Sequence, residues 1–81
     1  MKSYSLSIEN KLTEIERVHH KIEQIGEEHN IPVKAIFEIN LALDELLTNT
    51  ISYGYKDKFE HFINIEINVN DIDFIVSITD D

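Results

Sequence analysis

The chain has 81 residues and no cysteine, and its 16 acidic and 7 basic residues give a formal net charge of −9. This length predicts one small domain, residues 1–81, near the size at which a single hydrophobic core only just suffices. The charge argues against nucleic acid or an anionic membrane as a main partner, because both are bound by basic patches. The absence of cysteine excludes disulfides and thiolate chemistry.

Targeting signals are not visible in the sequence. No apolar run approaches the roughly 20 residues that a membrane span needs, and the first residues lack the apolar core of a signal peptide. We therefore expect a cytoplasmic protein without a membrane partner.

The first half of the chain predicts a strand and two helices. Residues 2–8 alternate in polarity, which is typical of a strand, and Ser7 or Asn10 can cap the helix that follows. That helix is predicted over 12–30, with Asn30 in the left-handed ending conformation. Pro32 fits the first turn of a second helix that reaches Tyr53 and ends at Gly54.

The second half predicts a hairpin. After a polar turn at 55–58, isoleucine or valine at 63, 65, 67 and 69 alternates with polar residues, as in a strand with one buried face. Asn70 and Asp71 supply turn chemistry, and Ile72, Phe74, Val76 and Ile78 continue the buried face on the way back. The order β-α-α-β-β predicts the α+β class, a two-layer sandwich with two helices packed on an antiparallel sheet.

Two polar side chains stand out on the second helix. Glu45 and Asn49 are four residues apart, so they lie on one helix face a turn apart. They lie opposite the main apolar stripe, which consists of Ile36, Ile39, Leu43, Leu46, Leu47 and Thr50. Phe37, Leu41 and Ala42 lie near that polar side, so we expect this helix to be buried on more than one side. A carboxylate can accept a proton and an amide oxygen can ligate Mg²⁺. The alternative is that both residues simply form the solvated side of an amphipathic helix.

Residues 37–55 resemble the N-box helix of the GHKL ATP-binding superfamily, which has the Bergerat fold. The closest similarity is to the anti-sigma-factor serine kinase branch, in which an alanine precedes the glutamate and asparagine, as Ala42 does here. Residues 74–81 resemble the strand leading into the first glycine box of that family, with Asp80 as its opening aspartate. The element order also agrees, so the resemblance covers essentially the whole chain.

The resemblance implies a function and three residue roles. It implies transfer of the ATP γ-phosphate to a serine of an anti-sigma-factor antagonist, together with binding of a sigma factor. Asn49 would ligate the Mg²⁺ on the ATP phosphates, and Glu45 would be the general base. Asp80 would accept a hydrogen bond from the adenine amino group.

The sequence departs from the family pattern in two ways. A histidine common near Tyr53 in the family is absent, and the glycines of the glycine boxes and the flexible lid do not follow Asp80 within residues 1–81. We therefore expect residues 1–81 to be the N-terminal half of the fold and to bind ATP weakly or not at all. Kinase activity of this stretch is left open.

Alternative functions come from other classes. The chain can be a non-catalytic interaction module that pairs with a partner through its first helix or a strand edge. It can also be the nucleotide-binding domain of a histidine kinase or a phosphatase-linked regulator. A three-stranded sheet with unpaired edges also predicts self-association, so a homodimer is a further expectation.

Overall fold

A computed structural model describes residues 2–54 and 60–80 of the chain. The elements, in chain order, are β1 (Lys2–Glu9), a short 3₁₀ turn (Leu12–Glu14), α1 (Ile15–Glu28), α2 (Val33–Tyr53), β2 (Phe62–Val69) and β3 (Phe74–Asp80). The predicted α+β class and element order are confirmed. The polar turn predicted at 55–58 lies outside the described residues.

The chain forms two compact units. The sheet unit comprises Met1–Asn10 and Phe59–Asp81, and the helical unit comprises Lys11–Lys58. Within residues 2–54 and 60–80, no helix is both long and apolar enough to span a membrane.

The three strands form one antiparallel sheet with β2 in the middle. Its register aligns Leu6 of β1, Ile65 of β2 and Ile78 of β3 in one row. The alternating residues of β2 are fully or almost fully buried, as predicted: Ile63, Ile65, Ile67 and Val69. In the edge strand β3, Phe74, Val76 and Ile78 are only half-buried, and Ile75 is 51% exposed.

The link between β2 and β3 is built around Asn70. Its side-chain Oδ1 accepts hydrogen bonds from the backbone N–H groups of Ile72 (2.8 Å) and Asp73 (2.6 Å). Its own N–H donates to the Asp73 carbonyl at 3.0 Å, so the side chain acts as part of the turn. The predicted turn is confirmed, but Ile72 belongs to it and is 90% exposed. The placement of Ile72 on the buried face was wrong.

The predicted capping role of Ser7 or Asn10 is also wrong. Ser7 lies in β1, paired with Asn64. The Asn10 N–H donates to the His61 carbonyl at 3.0 Å, and its Oδ1 accepts from the His61 N–H at 3.1 Å, which extends the β1–β2 pairing. In the described part of the chain, no side chain caps the start of the 3₁₀ turn or of α1.

The connection between the helices follows its sequence signals. Asn30 has a φ of 55°, the left-handed conformation that asparagine tolerates at helix ends, as predicted. The next N–H, that of Ile31, donates to the Gly26 carbonyl at 2.9 Å. Pro32 immediately precedes α2 and its carbonyl accepts from the Ile36 N–H at 3.1 Å. α2 ends at Tyr53, before Gly54, as predicted.

Close approach of α1 and α2 explains the glycine inside α1. A Cβ at Gly26 would lie 2.6 Å from both Cγ1 and Cδ1 of Ile36, well inside normal contact distance. Both residues are buried. Gly26 therefore lets the first turn of α2 lie against the last turn of α1.

We expect Gly26→Ala to destabilise the protein. Overpacking costs about 1–3 kcal/mol, and the improved helix propensity returns roughly 0.5–1 kcal/mol, so a net loss of about 1 kcal/mol should appear in urea unfolding. The control is Ile36→Ala, which removes both Cγ1 and Cδ1, the two atoms that a Cβ at Gly26 would meet. The double variant should be more stable than the sum of the two single effects; strict additivity would show that the two side chains do not compete for this space.

Candidate functional site

Helix α2 carries two of the three predicted site residues. Glu45 and Asn49 are both exposed, and their separation of four residues corresponds to about 6 Å along the helix axis. Leu43 and Leu47 flank Glu45 in sequence and are 5% and 0% exposed. Since each is two positions from Glu45, each lies roughly opposite it on the helix, so burial of the leucines turns Glu45 outward.

Neither polar side chain has a competing partner in residues 2–54 and 60–80. Within the described residues, Glu45 and Asn49 form no hydrogen bond or ion pair. Neither side chain is therefore held by a polar partner in the described part of the chain. The arrangement presents an amide oxygen and a carboxylate on one ordered face of α2, available to a ligand.

The burial predicted for the surroundings of this face was wrong. Phe37 is 65% and Leu41 is 60% exposed, and Ala42 is exposed as well. Leu46, predicted on the core side, is 52% exposed. The buried stripe of α2 is narrow, consisting of Ile36, Leu43 and Leu47. Helical periodicity identified these three, but it could not identify which of the other apolar positions stay in solvent.

The third predicted site residue, Asp80, belongs to the sheet unit. It is the last residue of β3 and pairs in register with Ile63 of β2. The structure thus brings Glu45 and Asn49 together on α2 and places Asp80 at the end of a strand.

A polar cluster between α1 and α2 was missed by the sequence reasoning. The amide of Asn40 donates to the His19 carbonyl at 3.4 Å. His19 Nε2 lies 3.7 Å from the Asp44 carboxylate, which is too long for a hydrogen bond. Among the described residues, the buried His19 Nε2 and Asn40 Oδ1 atoms have no hydrogen-bond partner. The sequence indicates only that Asn40 and Asp44 share one face of α2, because they are four residues apart. It does not indicate that His19 of α1 lies next to them.

Comparison with known proteins places the chain in a family. The family described as the histidine kinase-like ATPase domain matches residues 8–81. This is nearly the whole chain, so the chain belongs to that family, and the resemblance to the GHKL superfamily is confirmed. No curated protein and no solved structure matches the chain. Membership makes this an ATP-binding, ATPase-like domain.

The exposed face of α2 fits Mg²⁺-ATP by its chemistry. Mg²⁺ prefers oxygen ligands and keeps several waters, so it needs few protein oxygens when phosphate oxygens also bind it. Asn49 offers such an oxygen, and the Glu45 carboxylate lies one turn away.

We expect Glu45→Ala and Asn49→Ala to leave stability unchanged. Both side chains are exposed and unpartnered within the described residues, and such surface changes usually stay within about ±0.5 kcal/mol. Urea unfolding of each variant beside Leu47→Ala is the measurement. Leu47 is 0% exposed, and its truncation should cost about 2–5 kcal/mol. A comparable loss at Glu45 or Asn49 would show that the residue supports the fold.

Proposed function

We propose that this domain serves a protein serine kinase of the anti-sigma-factor type. The observation that supports the proposal is the outward face of α2, where Glu45 and Asn49 stand one turn apart without partners in the described part of the chain. Membership in the histidine kinase-like ATPase family supports ATP as the ligand. When bound, Mg²⁺-ATP supplies the γ-phosphoryl group and the neutralising charge for its transfer.

Asn49 would be the metal-holding residue. Its amide oxygen is a neutral ligand, which suits a cation already shared with phosphate oxygens. The net charge of −9 repels an anionic nucleotide at long range. Binding therefore depends on the cation and on backbone donors, and a helix-borne ligand contributes by fixing the position of the cation.

Glu45 would act on the attacking group. Its carboxylate oxygen would accept a hydrogen bond from the hydroxyl of a partner's serine, orient it, and take its proton as the oxygen–phosphorus bond forms and ADP leaves. Phosphoryl transfer needs little covalent chemistry from the protein, so positioning and charge dominate the rate. A general base typically contributes about 10²–10⁴-fold.

Asp80 would recognise the base of the nucleotide. A carboxylate is an acceptor, so at the end of β3 it can take a hydrogen bond from the amino group of adenine. The same contact would be lost with guanine nucleotides, which carry a carbonyl oxygen at that position.

The proposed macromolecular partners are a sigma factor and an anti-sigma-factor antagonist. The antagonist would supply the serine that is phosphorylated. The only two glycines of the sequence, Gly26 and Gly54, precede Asp80, so the glycine-rich loops that hold phosphates in this family are not within residues 1–81. Affinity for ATP is accordingly expected to be low in this stretch alone.

A non-catalytic binding module is the second candidate function. The observation that favours it is the exposed apolar stripe of α2, where Val33, Phe37 and Leu41 are 85%, 65% and 60% exposed. Exposed apolar surface of this kind is typical of protein interaction sites. The two functions are compatible, because the stripe and the Glu45–Asn49 pair occupy different turns of α2.

Titration of Mg²⁺-ATP separates the two candidates. In a version extended past Asp81 with the first glycine box, lid and second glycine box of the family, we expect saturable shifts of the backbone amides around Asn49 by NMR. Residues 1–81 alone should show weak, unsaturated shifts at the same amides. Absence of shifts in both versions would overturn the nucleotide proposal and leave the binding module.

Substitutions of Glu45 and of Asn49 should affect different steps, phosphoryl transfer and Mg²⁺-ATP binding respectively. In the extended version, Glu45→Gln should lower phosphoryl transfer to a serine substrate by about 10²-fold or more while Mg²⁺-ATP affinity stays within several-fold. Asn49→Ala should weaken Mg²⁺-ATP binding itself. Glu38→Gln is the matched control, since Glu38 is also an exposed glutamate of α2. Undiminished turnover in Glu45→Gln would refute its role as base, and unchanged calorimetric affinity in Asn49→Ala would refute the metal role.

A further inference from the structure

A continuous groove runs along the seam between α1 and α2. It consists of two adjoining clefts of about 350 Å³ each. Glu23, Phe37 and Asn40 line both clefts, so they form the middle of the groove. On α1 the lining extends from Glu16 to Glu27, which corresponds to roughly 16 Å or three helical turns.

The floor of this groove is apolar and open. Val33, Phe37 and Leu41 follow each other at four-residue spacing on α2 and line it. All three are more than half exposed. Ile36 and Gly26 close the floor at the end nearest the helix connection. The spacing matches the apolar stripe of a third helix, because residues four apart on one helix stack along one face.

The rim of the groove is acidic. Glu16, Glu23, Glu27 and Asp44 line it, and all four are exposed. No lysine or arginine is among the described lining residues; the basic groups there are His19 and His20. The carboxylates of the rim therefore favour a ligand that carries hydrogen-bond donors and positive charge.

We propose that this groove binds a basic amphipathic helix of a partner protein. Apolar residues of that helix at i, i+3, i+4 and i+7 would cover Val33, Phe37 and Leu41, in the helix-in-groove mode of recognition. Lysine or arginine side chains flanking its apolar stripe would meet Glu16, Glu23, Glu27 and Asp44. The proposal does not rest on nucleotide binding.

Other occupants fit the chemistry less well. Nucleic acid and anionic membranes are repelled by the rim and by the net charge of −9. In a two-fold dimer the same patch meets itself, so a second copy would bring four carboxylates against four. A metal ion is also disfavoured, because the described residues contain no group of three or more acidic, histidine or cysteine side chains arranged to hold one.

A designed peptide tests the proposal on the full 81-residue chain. The probe is an amphipathic helical peptide with leucines on one face and lysines beside them. It is compared with a scrambled peptide of the same composition and with a version carrying glutamate in place of lysine. We expect NMR shifts confined to the groove, with affinity falling as salt rises, and much weaker binding of both comparison peptides. Equal binding of the scrambled peptide would overturn the proposal, because it would show charge attraction without a groove.

Matched variants locate the binding. Leu41→Ala should lower affinity at least about fivefold, as expected for an apolar contact in the centre of an interface. Leu46→Ala should not, since Leu46 is also an exposed leucine of α2 but does not line the groove. Glu23→Gln should weaken binding at low salt, whereas Glu38→Gln, which changes the net charge equally, should have a smaller effect. Equal effects within either pair would overturn the proposal.

Two results would assign the groove to another occupant and reject the proposal. The first is concentration-dependent dimerisation in sedimentation that Leu41→Ala abolishes, which would make a second copy the occupant. The second is protection of the Phe37 and Leu41 amides by the added residues in a version extended past Asp81.

Discussion

The approach of α1 to α2 at Gly26 fixes the rotation of α2, and the rest of the helical unit depends on that rotation. With no side chain at Gly26, Ile36 can lie against α1, whereas a Cβ at this position would come within 2.6 Å of the Ile36 side chain. The left-handed Asn30 and the Pro32 that follows it bring the chain into α2 within a few residues. Once Ile36 faces α1, helical geometry determines which residues face solvent over the next four turns.

Two surfaces follow from that rotation. Leu43 and Leu47 continue the buried side begun by Ile36, so Glu45 must lie outward between them. The outward side then carries an apolar section around Phe37 and a polar section around Asn49. The burial of aliphatic side chains thus positions two side chains, Glu45 and Asn49, that form no hydrogen bond or ion pair with the described residues. Such sites are held by their scaffold and so can change without loss of the fold.

Signals that act over a few residues were predictable from the sequence. The ends of α2 follow from Pro32 and Gly54, and the alternating pattern of β2 follows from the period of a strand. The E-x-x-x-N face also followed from spacing alone. Predictions from the sequence were wrong where a residue distant in sequence determines the local hydrogen bonding. Asn10 has the chemistry of a helix cap, but the His61 backbone, 51 residues away, takes its side chain.

The solvent exposure of apolar side chains on α2 was the property least predictable from the sequence. The α1–α2 groove could not be predicted for that reason. Hydrophobic periodicity marks Phe37 and Leu41 as apolar, but an apolar position on a helix can equally be core or an open surface. The α1–α2 groove depends on which side of each helix the other covers, and that is set by Gly26 and by the connecting turn. No local window contains this information. The Asn40–His19 contact across the two helices was hidden for the same reason.

The two proposed sites share one helix, which has an energetic consequence. Leu41 precedes Glu45 by one turn, about 6 Å along the axis, so a partner helix in the groove would lie beside the group proposed to act on the serine. If occupation of the groove changes the affinity of α2 for nucleotide, linkage requires nucleotide to change the affinity of the groove by the same factor. The coupling can pass through a rotation of α2. Helix α1 packs against Ile36 of α2 and also forms one wall of the groove, so a ligand that moves α1 can rotate α2. Titration of one ligand in the presence of the other would measure the coupling. A factor that differs from one, in both directions, would distinguish coupled sites from two independent sites.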